Sequence, residues 1–168
     1  AVEAGKGFVG LHSTCNSWAK PGPAYENVAE VDPFLAMLGA QFIAHGPQQK
    51  ATMRVTSPHF PGVEGIGESF DLLEEWYAMK NFAKDLHVIL VQETKGMTGE
   101  CYQRPLFPST WARMQGRGRV FFTSLAHRED VWEGKPLQPI VMGGRAWALG
   151  NVSAEVKPNI DQVTPHAR

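Results

Sequence analysis

Three histidines that close apolar segments are the residues of this chain best placed to do chemistry. His12 follows the run Phe8-Val9-Gly10-Leu11, His45 ends the segment QFIAH, and His127 stands just past residues 119–125 (RVFFTSL). Imidazole serves as general base, as hydrogen-bond partner to sugar hydroxyls, or as metal ligand. In open α/β sheets, ligands bind beyond the carboxyl ends of parallel strands, so a polar residue at such an end is a site candidate. If these strands are parallel neighbours, the three imidazoles converge on one side of the sheet. Each histidine alone reads more readily as structural; three in equivalent positions weigh against that reading. His59, His87 and His166 lack this context and are read as structural or exposed.

The stretch Glu74-Glu75-Trp76-Tyr77 places carboxylates beside aromatics. Its bland reading is a solvated acidic turn. Its functional reading is one carboxylate turned into the site as acid, base or ligand, with an aromatic neighbour to stack on a sugar ring. Trp111 and Trp132 could stack likewise, although large aromatics more often fill a core or rim. Other chemistries find no support. Gly5-Lys6-Gly7 does not have the spacing of a phosphate-binding loop, and no GxSxG elbow occurs. Gly116-Arg117-Gly118-Arg119 precedes a strand and reads as a hairpin turn. Cys15 and Cys101 read as two buried thiols rather than a disulfide framework or a thiolate metal site.

The elements that must position these residues follow from pattern. Residues 8–11 form a short glycine-bounded apolar strand, and residues 86–91 (LHVILV) are the surest buried strand. Residues 50–56 alternate as a half-exposed strand, while residues 70–77 are ambiguous between helix and strand. A helix is expected from Asp32, which can cap it with Pro33 at its first position, to the stop at Gly39. Residues 136–149 form the last expected helix, residues 16–25 an irregular loop, and residues 57–67 a turn-rich loop. Strands alternating with helices make an α/β layered sheet the expected class. The 168 residues suffice for one domain with a sizeable core, with 43% hydrophobic and 20% charged residues. A net charge of -1 without a basic stripe argues against nucleic acid or an anionic membrane as partner. No apolar run approaches a membrane span. Composition leaves the compartment open between cytoplasm, periplasm and secretion.

The runs GKGFVGLHST, GAQFIAHGPQQKATMRV, SPHF, FDLLEEWY, PSTWARMQGRGRVFFTSLAH and RAWALG, in this order from Gly5 to Gly150, resemble the ThuA-like (trehalose utilisation) family. The resemblance implies a class I glutamine amidotransferase-like fold: a flavodoxin-like, mostly parallel sheet with helices on both faces. It would occupy residues 1–150, followed by a surface tail over 151–168. Members of that family carry further strands and helices ahead of the Gly5 motif, so the resemblance implies either a fragment or a sheet edge covered by a second copy or a partner chain. His12 takes the position of the superfamily's elbow cysteine, and His127 falls near its catalytic histidine, so glutaminase activity is not expected. The family's Asp-Glu-x-Tyr stands here as Glu74-Glu75-Trp76-Tyr77, its first carboxylate one methylene longer.

The resulting expectation is a protein of trehalose, sugar or keto-sugar utilisation. His127 and Glu75 would be the acid/base pair, with His12 beside them and with His45, Tyr77 and Trp111 binding a small carbohydrate. His12 and His45 would orient substrate or, with His127, hold a divalent metal such as zinc. The alternatives are a non-catalytic carbohydrate-binding or accessory module, and a structural subunit docking through its sheet edge.

Overall fold

The computed structural model describes residues 1–19, 24 and 26–167; residues 20–23 and 25, within the expected loop, lie outside that set. A short 3-10 turn, Val2–Ala4, ends at Gly5 and leads into β1 (Phe8–Leu11). Helix α1 (Pro33–Leu38) begins as its residues dictate. The Asp32 carboxylate accepts the Phe34 N–H at 2.8 Å, Pro33 opens the first turn, and Gly39 stops the helix at φ 104°. Strands β2 (Gln41–His45), β3 (Gln49–Val55), β4 (Ser69–Glu74), β5 (Tyr77–Lys80) and β6 (His87–Gln92) follow. The long β7 (Phe107–Gln115) and β8 (Gly118–Thr123) then lead to α2 (Glu129–Glu133), α3 (Leu137–Ala148) and α4 (Ile160–Val163).

The class is α/β, as expected, but the sheet differs from the expected mostly parallel one. Six strands run in the order β1-β8-β7-β6-β3-β4, and within this sheet only β1 and β8 pair in parallel. The reason is local. The turn at Gly116, with φ 59°, sends β7 straight back as β8, and a tight turn can join antiparallel strands only. At the β1–β8 end the layered arrangement does appear. Phe121 and Phe122 alternate to opposite faces. Gly144 of α3 packs so closely on the Phe121 ring that a Cβ there would lie 2.5 Å from it. On the other face Gly10 lies between Phe122 and Leu38 of α1.

Strands β2 and β5 form a separate antiparallel pair with a register shift between Phe42 and Ala44. The ambiguous segment 70–77 is therefore two strands in two sheets, and the chain changes sheet at Glu75-Trp76. The core sits on β6, where Val88, Ile89, Leu90 and Val91 are fully buried, with Trp111, Phe121, Phe122 and Trp147 around it. Each such side chain contributes about 1.5–3 kcal/mol by leaving water. The tail is docked rather than merely draped. The Asn159 side chain accepts the Val88 N–H at 2.6 Å, His87 Nδ1 donates to the Lys157 carbonyl at 2.8 Å, and Ile160 is buried. Helix α4 thus follows the expected last helix. No helix among the described residues is long and apolar enough to cross a membrane.

Candidate functional site

The site is built where three strand ends meet the change of sheet. Beyond β1 the chain folds into a 3-10 turn, His12–Asn16, that starts with His12 at φ 41°. A left-handed histidine is uncommon, and such residues persist where their surroundings over-determine them. Here Thr14 Oγ1 donates to the Leu11 carbonyl at 2.7 Å and accepts the Leu11 N–H at 3.0 Å, closing the turn. The ring of His12 is buried, with Nδ1 2.8 Å from the Ser124 carbonyl. A carbonyl only accepts, so Nδ1 carries the proton and Nε2 faces Glu75 Oε2 at 3.3 Å.

Glu75 is the hub. His127 Nδ1 approaches the same Oε2 at 3.3 Å, and His45 Nδ1 approaches Oε1 at 3.5 Å while lying 3.0 Å from the Gly46 carbonyl. Tyr77, opposite His45 in the β2–β5 register, lays its ring on His12 with centroids 3.9 Å apart. Burial, and then the charge of Glu75, push the Tyr77 phenol up to about 12, so it stays a hydroxyl donor at neutral pH. Tyr102 braces both approach segments, donating to the Trp76 carbonyl at 2.6 Å and accepting the Gly46 N–H at 2.7 Å. Beside His127 lies a cleft of about 330 Å³ lined by Gln48, Arg128, Glu129 and Asp130. There Arg128 grips Asp130 through Nε and Nη2 and reaches Gln48 at 2.6 Å.

The structure brings His12, His45, Glu75, Tyr77 and His127 together. Trp111, expected to bind substrate, lies elsewhere. It is fully buried, donates through Nε1 to the Leu38 carbonyl at 2.9 Å, and packs on Phe122, so it serves the core. Trp132 is partly exposed and donates to the Ala126 carbonyl at 3.1 Å, tying down the loop that carries His127. His87 is structural, and His59 is exposed. Among the described residues, His12, Glu75 and His127 form the one set able to share a metal ion, their donor atoms lying within 4.8 Å of one another. His45, expected as the third imidazole ligand, is not in it; Glu75 takes that place. Both cysteines are free and buried, and burial pushes the Cys15 thiol far up, with its Sγ donating to the His12 carbonyl at 3.3 Å.

Glu74, the other candidate carboxylate of this stretch and not one of the expected site residues, lies directly behind the cluster. Its carboxylate is fully buried and accepts three backbone N–H groups, from Glu75 at 2.8 Å, Ala126 at 3.1 Å and His127 at 3.2 Å. A signal for it existed. Read as a strand, residues 70–74 place Phe70, Leu72 and Glu74 on one inward face.

A family model described as ThuA, trehalose utilisation, matches residues 1–148. The chain belongs to the ThuA family. Two solved ThuA-like structures share its fold. A putative ThuA-like protein from Bacteroides uniformis aligns with TM-score 0.62 at 20% identity, over 88% of this chain and 60% of its own. A second, from Parabacteroides merdae, aligns with TM-score 0.56 at 16% identity, over 99% of this chain and 69% of its own. The chain thus spans only part of the length of these ThuA-like proteins. No curated protein matches it.

Proposed function

We propose that this ThuA-family chain is an acid/base enzyme of carbohydrate utilisation, acting on trehalose or a related sugar or keto-sugar. The observation that carries the reading is the convergence of three imidazoles on one carboxylate, Glu75, with the Tyr77 ring against His12. The family description supplies the substrate class. In this reading Glu75 and His127 manage the proton, taking it from a hydroxyl or from a carbon beside a carbonyl and returning it to the product. His12 holds Glu75 in place, and His45 and Tyr77 contact sugar hydroxyls. A small carbohydrate reaches Glu75 past His127, whose side chain is 39% exposed, and His45, which is 47% exposed.

Glutaminase chemistry is outside this proposal. A thiol nucleophile needs an accessible, acidified sulfur, and Cys15 is buried with its thiol pushed up. The parallel β1–β8 pair with a helix on each face supports kinship with the amidotransferase-like sheet.

The test is a panel of trehalose, other disaccharides and their keto derivatives, followed by NMR in heavy water for product formation and for exchange beside the carbonyl. Turnover in the parent, lowered about 10²–10⁴-fold in both Glu75→Ala and His127→Ala, supports the proposal. Sugar binding with no turnover in the parent, or turnover untouched by both changes, would leave a carbohydrate-binding module as the better reading.

A further inference from the structure

The structure assigns a mononuclear metal site to His12 Nε2, Glu75 Oε2 and His127 Nδ1, for a zinc-class divalent ion. This rests on the reading of the Glu75 cluster as the reacting centre and revises one part of it: with an ion bound, a water on that ion would take the base role given above to Glu75 and His127.

Distances make the first argument. Zinc bonds of about 2.0–2.1 Å at tetrahedral angles place neighbouring donors about 3.3–3.4 Å apart. Two edges, His12 Nε2 to Glu75 Oε2 and His127 Nδ1 to Glu75 Oε2, are 3.3 Å, and all three donors lie within 4.8 Å of one another. A charge-assisted N–H···O bond would draw such atoms to about 2.7–2.9 Å.

Orientation makes the second. His12 Nδ1 donates to the Ser124 carbonyl at 2.8 Å, which leaves Nε2 as the ring nitrogen directed at Glu75 and available to an ion. A ligand imidazole whose other nitrogen donates to a backbone carbonyl is the usual arrangement in metal sites.

The supporting shell makes the third. Glu74 holds the backbone at both Glu75 and His127, so two of the three donors are fixed by one buried carboxylate. Glu75 Oε1 is left to His45. Two imidazoles and one carboxylate leave a fourth position for water or a substrate oxygen, as in catalytic zinc sites. An ion held there would lower the pKa of a bound water to near neutrality and so supply a base that needs no free imidazole.

The experiment measures metal on the chelator-stripped protein, with Zn²⁺ by calorimetry and Co²⁺ by its visible ligand-field spectrum. One equivalent bound at micromolar concentration, with the intense Co²⁺ bands of tetrahedral coordination, is expected. His12→Ala and Glu75→Gln should each weaken binding more than about 100-fold, beyond the 10–100-fold typical of outer-shell losses. His59→Ala should leave it unchanged. Should His12→Ala fail to fold by circular dichroism, His127→Asn, at a partly exposed side chain, carries the same expectation. No stoichiometric binding, or equal binding in the ligand variants, overturns the site. Saturation-transfer NMR with trehalose on stripped and loaded protein separates the two proposals. Sugar turnover by the stripped protein, undiminished against the loaded one, refutes the ion's part in the reaction and leaves the acid/base reading standing. Stoichiometric metal with no sugar binding or turnover does the reverse.

Discussion

The buried carboxylate of Glu74 accepts the backbone N–H of His127 at 3.2 Å, joining the end of β4 to the loop after β8. The same group accepts the N–H of Glu75 and of Ala126, which sits at φ 94°. One side chain therefore sets the relative position of the two residues proposed to manage the proton.

Glu74→Gln should lower stability by at least about 2 kcal/mol, because an amide cannot offer two anionic oxygens to three backbone donors. Chemical denaturation reads that loss. The Asp variant, with the charge kept but the reach shortened, should recover part of it. A positioning role makes a further demand: the His127 ring resonances followed by NMR should move in Glu74→Gln. Unmoved resonances would reduce Glu74 to a structural residue.

Alkaline stability should track Tyr77. Its folded value is pushed up to about 12, so the fold favours the protonated phenol. The stability is fully present below the unfolded value near about 10 and is lost as pH rises from there towards the folded value. The buried Cys15 thiol is shifted in the same direction and adds to the decline. Thermal melts across this range should fall, and Tyr77→Phe should flatten the upper part of the curve.

Trp111→Phe should cost about 1–3 kcal/mol by leaving the buried Leu38 carbonyl without its donor, and Trp111→Ala about 3–5 kcal/mol through the cavity it opens. Sugar affinity of the folded fraction should be unchanged in Trp111→Phe. A selective loss of sugar binding at full stability would return Trp111 to the site.

Cys15 should resist thiol-specific reagents in the native protein and react only on unfolding, since burial excludes reagent and disfavours the thiolate. Reaction timed against loss of the circular dichroism signal checks this. Rapid native labelling would contradict its burial.

Much of the architecture follows from local chemistry alone. The Asp32-Pro33 start and Gly39 stop of α1, the β7–β8 turn at Gly116 and the buried run of β6 are short-range matters of backbone freedom, capping and continuous apolarity. Histidines at the ends of apolar segments also marked out His12, His45 and His127 before any fold was known. Tertiary structure decided the rest. Strand direction depends on which edges pair, and residues 70–77 became two strands in separate sheets through pairing with β3 and β2. That change of sheet puts Glu75, rather than a third imidazole, between His12 and His127, and turns Glu74 inward to hold them. Trp111 likewise had a stacking face in either reading, and only the packing of Leu38 and Phe122 around it assigned it to the core. Residue types and local spacing carry the chemistry available to a site. Which groups come within 3.3 Å of one carboxylate is a property of long-range packing, which one-dimensional spacing does not encode.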